Sequence, residues 1–366
     1  MNAIRTSLVR RALASDLVDR LCAPHGVDRF LDLVDPRWPV HEVRAEIVGV
    51  ERQTPGTVTV TLQPNDAWQG FRAGQHVVVG VEIDGVVHER CFSLAGAPGR
   101  PDGRLELTVK ANPAGRVSAH LVAHARRGQV LRLSQAQGAF VLPEPQARSR
   151  HLALISGGSG ITPVLSMLRA LVDEAHDGPV TFVHYGFTLD DVCYLAELRQ
   201  LVDALPRGRL LLGCTDRPGE GDLDGFFGAE HLAAIADDPA ELDVYLCGPA
   251  PLMDAVVERF DAIGLADRVH LERFAPLPTA IEVGDGSLAF TRSGVSSPSV
   301  GTVLETAEAA GLTPRFGCRR GICGTCTSTK SSGVVRDVVT GVESSADAGP
   351  IRLCTSVARG PVAVDL

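Results

Sequence analysis

Hydrophobic and polar positions change rhythm three times along the chain. In residues 1–41, Ile4, Leu8, Val9, Ala12, Leu13, Leu17, Val18 and Leu21 fall at helical spacing and predict a helical extension. Its first eleven residues hold Arg5, Arg10 and Arg11 and no acid. A basic amphipathic helix can lie on an anionic membrane surface, or its apolar stripe can pack on its own protein. Over residues 42–146 the pattern becomes short alternating runs broken by Gly and Pro: TVTVTLQP, QHVVVGVEI, LELTVKA, QVLRLSQ and GAFVLP. Such spacing predicts an antiparallel barrel. Over residues 147–275 strands alternate with helices. HLALIS, VTFVHYG, RLLLGCT and DVYLCGP read as buried strands; VLSMLRALVDEA, DDVCYLAELRQLVDAL and PLMDAVVERFDAIG read as helices. That alternation predicts a parallel α/β sheet. A Pro-rich linker at about 276–280 leads to a last domain, 281–366.

Size and composition fit this division. A chain of 366 residues with 45% hydrophobic content can bury two or three cores. A net charge of −9 argues against a general nucleic-acid binder. No apolar run approaches the ~18–20 residues that span a bilayer, and no signal-peptide pattern opens the chain. The expectation is a soluble, cytoplasmic protein.

Nine cysteines then change the picture. Cys318, Cys323, Cys326 and Cys354 form C-x4-C-x2-C followed by a distant fourth Cys, the ligand spacing of a plant-type [2Fe–2S] cluster. Gly317, Gly321 and Gly324 in FGCRRGICGTC let a tight loop curl and let backbone N–H groups approach the sulfurs. A zinc ribbon normally sets two C-x2-C pairs against each other, whereas Cys354 stands alone with no nearby His. Disulfides suit an oxidising compartment. Of the rest, Cys22, Cys91, Cys193 and Cys214 read as small buried hydrophobes, while Cys247 belongs to a motif.

Gly157-Gly158-Ser159-Gly160-Ile161-Thr162-Pro163 follows a strand and opens a helix. Glycines there let the backbone reach a pyrophosphate, and the helix N-terminus supplies N–H donors. Cys247-Gly248-Pro249 also stands at a strand end. Ligands of open α/β sheets bind at the carboxyl ends of strands, so both loops are expected to line one crevice.

With these motifs in order, the chain resembles the ferredoxin–NADP reductase superfamily, in the form with a plant-type ferredoxin domain at the C-terminus. The likeness runs from about Val43 to Leu366. It implies a multidomain β, α/β and α+β fold: an antiparallel flavin-binding β-barrel, a parallel nucleotide-binding domain and a β-grasp ferredoxin domain. Arg90-Cys91-Phe92-Ser93-Leu94 is similar to the family's flavin motif. The implied roles are Arg90 on flavin phosphate, Phe92 stacked on the ring and Ser93 near flavin N5. Gly115-Arg116-Val117-Ser118 is similar to the second flavin motif, and Lys110 joins the implied cofactor contacts. Residues 157–163 and 247–249 resemble the nicotinamide-nucleotide segments, with Cys247 where the nicotinamide meets the flavin. Glu272-Arg273-Phe274 resembles the segment that closes the site beside the flavin. Ser93 and Cys247 are thus the catalytic candidates. Cys318, Cys323, Cys326 and Cys354 are the metal ligands.

The implied cofactors are FAD, or FMN, a [2Fe–2S] cluster, and NADPH or NADH. The stretch HYGFTLDD lacks the arginine that commonly holds a 2′-phosphate. The next such place reads Cys214-Thr215-Asp216-Arg217, where Thr215 and Arg217 are candidate contacts and Asp216 would repel a 2′-phosphate. The implied activity is NAD(P)H-dependent electron transfer through flavin and cluster to an oxygenase or desaturase; membrane contact arises only if the acceptor is membrane-bound. A cytochrome P450 or hybrid-cluster protein is an alternative acceptor, and a redox-sensing module an alternative class. Residues 281–366 hold eight Asp/Glu and eight Lys/Arg. Arg319 and Arg320, between cluster ligands, are expected to raise the cluster potential and to meet an acidic patch on the acceptor.

Overall fold

The computed structural model describes residues 12–23, 25–112, 115–148, 150–274, 286–316, 321, 324–338 and 341–366. It divides into two compact units, Met1–His88 with Phe92–Phe274, and Glu89–Cys91 with Ala275–Leu366.

In the first unit two short helices, α1 (Asp16–Leu21) and α2 (Val27–Val34), precede the barrel. Leu17 and Leu21 are exposed and Leu13 and Val18 half-buried, so the described part of the predicted stripe is only partly covered; residues 1–11, with their three arginines, lie outside the described residues. Asp28 ties α2 to the chain that follows by accepting from Val40 N, at 2.6 Å, and from His41 N and Glu42 N, both at 2.9 Å.

Six strands form the barrel sheet: β1 (Val43–Thr54), β2 (Thr57–Pro64), β3 (His76–Ile83), β4 (Val86–Ser93), β5 (Leu105–Lys110) and β6 (Val130–Leu133), in the order β4-β3-β6-β1-β2-β5. Alternation drives this pairing, because one face of each strand enters a core of Val43, Ile47, Val60, Leu62, Val79 and Leu107. Helix α3 (Arg116–His124) buries Val117 and Leu121 in the same core. The predicted strand GAFVLP is not one. Phe140 and Leu142 are buried with the neighbouring sheet's core, and pairing stops at an isolated bridge between His76 and Gln137. Its alternation reflects that burial, not a ladder.

The second sheet is parallel: β7 (His151–Gly157), β8 (Val180–Gly186), β9 (Gly208–Cys214), β10 (Leu223–Asp224), β11 (Leu242–Cys247) and β12 (Val269–Glu272), ordered β10-β9-β8-β7-β11-β12. Continuous burial along β7 and β8 is what a sheet covered on both faces requires. Its helices are α4 (Ile161–Asp173), α5 (Leu195–Asp203), α6 (Ala229–Ile235) and α7 (Ala250–Ala262). The helix predicted from Asp190 starts only at Leu195, because Tyr194 adopts a left-handed φ of 63° and interrupts it. Strand order reverses between β7 and β11, and such a switch point opens a crevice at the carboxyl edge.

In the second unit, β13 (Ser287–Phe290), β14 (Val295–Pro298), β15 (Thr327–Asp337), β16 (Gly349–Arg352) and β17 (Ser356–Val364) are ordered β14-β13-β17-β15-β16. Only β13 and β17 are parallel; the other neighbours are antiparallel. Helix α8 (Val303–Ala309) starts from a capping box of Thr302 and Glu305 and buries Val303, Leu304 and Ala307. This is the expected β-grasp. Lys330 is wholly buried, its ammonium donating to the Ser345 and Asp347 carbonyls at 3.0 and 2.5 Å.

Candidate functional site

The switch point brings together the two loops that the sequence singles out. Gly157 ends β7 and Cys247 ends β11, and the strands pair from Leu242–His151 to Cys247–Ser156. A Cβ on Gly160 would collide with the Cys247 carbonyl and lie 2.7 Å from Gly248 N. One on Gly157 would lie 2.9 Å from both Pro249 Cδ and Leu252 Cδ2. The loops are therefore in van der Waals contact, and glycine is what permits it. Gly158 differs: its φ is +53° and no atom lies within 4 Å of where a Cβ would stand, so it faces open space at the start of α4. Thr162 Oγ1 donates to Ser159 O at 3.2 Å and steadies the first turn. Ile161 and Pro163 are buried beneath it.

Above this turn lies a cavity of about 390 Å³. The nucleotide sheet lines it with Gly158, Ser159, Ile161, Thr162, Asp191 and Cys193; the barrel lines it with residues 54–57, Thr108 and Lys110. Open glycine backbone, helix-end donors and an exposed lysine form a cradle suited to a pyrophosphate. The fit to a dinucleotide therefore holds. The lining by the β1–β2 turn has no sequence signal; only the sheet order carries it there.

At the edge of the same crevice sits a buried polar cluster. Ser93 Oγ donates to Glu272 Oε2 at 3.3 Å. Glu272 Oε1 lies 3.3 Å from His76 Nδ1, within ion-pair reach but off hydrogen-bond geometry. All three residues are buried. Glu272 is the register partner of Cys247, itself buried, in the parallel β11–β12 pair. A carboxylate and an imidazole held this deep require a partner group, and the cluster joins barrel residues His76 and Ser93 to Glu272 of the parallel sheet. Sequence reasoning passes over His76, because a lone His in an alternating strand carries no signal. Leu94 is buried after Ser93, whereas Phe92 is half-buried against the barrel core. Arg90 folds back, Nη1 donating to Glu89 O at 2.7 Å. In the second flavin motif Asn112 N donates to Ser118 Oγ at 3.2 Å, and a Cβ on Gly115 would lie 2.7 Å from that oxygen. Val117 is buried and Arg116 half-buried at the start of α3.

Thr215, Asp216 and Arg217 follow β9 beside Gly186, with Thr215 N donating to Gly186 O at 3.1 Å. Arg217 Nη1 lies 3.3 Å from Glu220 Oε1 and 3.9 Å from Asp190 Oδ2. Beneath them, His184 is fully buried, its Nδ1 2.8 Å from Ser156 Oγ. Burial, with the Lys110 charge second, pushes its pKa down to about 4.

In the second unit Cys326 and Cys354 are buried with their sulfurs 3.3 Å apart, and Gly321 N donates to Cys354 Sγ at 3.1 Å. Gly321 has φ +73°, and a Cβ there would meet Thr355 Cγ2 at 2.6 Å. Two converging thiols with a backbone donor suit an iron–sulfur ligand set. Cys318 and Cys323 lie outside the described residues, as do Arg319 and Arg320. The scattered cysteines correct one expectation: Cys214 is buried, but Cys22, Cys91 and Cys193 are only partly so.

Barrel, switch-point crevice and thiol loop together define a flavin- and nicotinamide-dependent iron–sulfur reductase. Residues 51–142 match an oxidoreductase FAD-binding domain, 154–258 an oxidoreductase NAD-binding domain and 291–359 a 2Fe-2S iron-sulfur cluster binding domain. An NADPH oxidoreductase of Mycobacterium tuberculosis is 34% identical over 95% of this chain and 90% of its own length. A glycine betaine monooxygenase reductase subunit of Pseudomonas aeruginosa is 32% identical over 81% and 87%. Phthalate dioxygenase reductase shares the fold, with a TM-score of 0.57 at 24% identity over 88% of this chain and 97% of that one. The chain belongs to the ferredoxin–NADP reductase superfamily, in the form with a C-terminal plant-type [2Fe–2S] ferredoxin domain. It is an NAD(P)H-dependent oxidoreductase whose cofactors are FAD, NAD(P)H and a [2Fe–2S] cluster. Among the described residues no helix is long and apolar enough to cross a membrane.

Proposed function

We propose that this chain is the reductase component of an oxygenase, drawing on NADH and delivering single electrons from its cluster to a separate oxygenase subunit. The observation that carries the reading is the convergence of residues 157–162, Lys110 and Cys247 at one switch point, beside the Ser93–Glu272 pair. A flavin held there would supply the conversion of a two-electron hydride donor into single electrons for an iron–sulfur cluster. The chain's own residues supply position and charge. The amides at the start of α4 and Lys110 hold the pyrophosphate. Cys247, small and buried, leaves room for the nicotinamide ring. The Ser93 hydroxyl, whose one proton goes to Glu272 Oε2 in this structure, would turn to donate to the reacting edge of a bound flavin. Residues 115–118 would hold flavin phosphate, and Phe92 would cover the ring. Cys318, Cys323, Cys326 and Cys354 hold the cluster. The Pseudomonas relative, named as a monooxygenase reductase subunit, supports an oxygenase acceptor.

NADH is favoured over NADPH by the surroundings of Arg217. Its guanidinium is engaged by Glu220 and Asp190, and Asp216 stands beside it. A 2′-phosphate would have to displace those carboxylates and face Asp216, whereas a ribose diol can bond to them. The Mycobacterium relative is named for NADPH, so the two readings diverge on a measurable point. Anaerobic titration with each nucleotide, followed in the visible spectrum, tests both. The expected result is bleaching of flavin and iron–sulfur bands by NADH at lower concentration than NADPH. Bleaching of the flavin alone overturns the relay; a preference for NADPH overturns the coenzyme assignment.

A further inference from the structure

Helix α4 carries the nucleotide loop at its start and a second set of contacts about 10 Å further on, two turns along a stiff helix. Ser166 Oγ donates to Gly96 O at 2.7 Å. Arg169 Nη1 donates to Ala95 O at 2.8 Å and to Glu106 Oε2 at 2.7 Å. Ala95 and Gly96 are barrel residues that directly follow Ser93-Leu94, and Ala95 N is bonded to Glu106 O at 2.8 Å. The other side of the same guanidinium grips helix α5: Nε donates to Glu197 Oε1 at 2.8 Å. Its carbon lies 5.3 Å from the centroid of the Tyr194 ring. Tyr194 completes the grip. Its hydroxyl meets Thr108 Oγ1 at 2.5 Å and also bonds Thr59, two cross-strand partners on β5 and β2. This tyrosine holds a left-handed φ of 63°, a conformation costly for an aromatic residue and retained only where surrounding contacts over-determine it. Cys193 beside it lines the nucleotide cavity.

We propose that Arg169, with Ser166 and Tyr194, is a positioning bolt that sets the separation between the Ser93 end of the barrel and the nucleotide loop. The inference rests on the reading that Ser93 serves the flavin and residues 157–162 the nicotinamide nucleotide. One helix connects the loop to the bolt, and two residues connect the bolt to Ser93. Displacement of either partner therefore changes the distance across which hydride must pass. None of Ser166, Arg169 and Tyr194 lines the nucleotide cavity itself, although Tyr194 bonds Thr108, which does. Lysine cannot replace this arginine, because a single ammonium cannot reach Ala95 O, Glu106 and Glu197 together while lying over a ring.

The test compares the cofactor-loaded wild type with Arg169→Lys and Tyr194→Phe. Flavin reduction by saturating NADH is followed in stopped flow, alongside KM, flavin content, thermal midpoint and hydrogen exchange. For Arg169→Lys the limiting rate is expected to fall about tenfold or more, as misalignment of reacting atoms by under an ångström predicts, with KM within about threefold. Flavin content and reduction by dithionite are expected to stay as in the wild type, while amides at 95–97 lose protection. Tyr194→Phe is expected to show the same pattern more weakly. A lowered midpoint with a limiting rate within twofold of wild type would make the bolt a stability device and overturn the proposal. If Arg169→Lys fails to fold or load, Tyr194→Phe combined with Ser166→Ala decides by the same criterion. If wild-type flavin is reduced by neither nucleotide, the functional reading fails and not the bolt, which the exchange data on 95–97 still test.

Discussion

Single residues in this protein do chemistry chiefly where burial removes water from them. His184 is the clearest case. It sits wholly inside the nucleotide sheet with one hydroxyl partner, so its charged form is disfavoured and its pKa falls to about 4. The unfolded chain takes up a proton near the ordinary histidine value of about 6.5, while the folded chain does not until about pH 4. Between those values the unfolded state binds more protons, so stability falls as pH falls. The loss attributable to this group is on the order of 3 kcal/mol across that window. Replacing His184 by Asn is expected to flatten the dependence of the calorimetric midpoint on pH from 7 to 4.5; identical slopes in both proteins would refute the assignment. Ser93, Glu272 and His76 are also buried together, Ser93 bonded to Glu272 and His76 Nδ1 3.3 Å from the other carboxylate oxygen. Ser93 and Glu272 can be picked out by their motifs. His76 cannot, since its role depends on β12 arriving beside β3's first residue.

Elements matter through the ends they present. The turn after β7 is tight because Gly160 abuts the Cys247 carbonyl, so two strand ends and a helix start occupy one corner. Gly160→Ala is expected to force that corner apart. Overpacking of this kind costs about 1–3 kcal/mol, and the nucleotide loop moves with it. Chemical denaturation of the variant, with NADH affinity measured in parallel, is expected to show both losses; unchanged affinity would separate the corner from the binding site. Several elements are legible in the sequence. The strands TVTVTLQP and VTFVHYG coincide with β2 and β8, because period-two alternation and continuous apolar runs both mark extended chain facing a core; in β2 the threonine face is buried as well, at Thr57 and Thr59. GAFVLP and the start of α5 depart from their patterns through distant partners. Phe140 and Leu142 are buried with the second sheet's core, and Tyr194, bonded to Thr59 and Thr108, holds the left-handed φ that delays α5. A local pattern does not say who the neighbour is.

At the scale of the whole molecule, two separately built units hold the two halves of the chemistry. The first contains most of the nicotinamide and flavin residues, the second the cysteine loop. A defect in the cysteine loop is therefore expected to spare the first half-reaction. In Cys354→Ser the iron–sulfur absorption is expected to disappear, because a serine oxygen is a poor substitute for a buried thiolate ligand. Bleaching of the flavin by NADH and reduction of ferricyanide are expected to persist, while transfer to an oxygenase is lost. Loss of flavin reduction in that variant would show that the units are not independent.

Short stretches of residues suffice for the cofactor set and the order of the domains. Each of these is written locally: four cysteines at fixed spacing, glycines at strand ends, an arginine–aromatic–serine run. Which of those pieces meet is a property of the folded chain alone. Folding places the β1–β2 turn and Lys110 over the nucleotide loop, His76 against Glu272, and Arg169 between two sheets. Sheet order and helix packing are set by burial summed over long separations, and no short window of residues contains that sum.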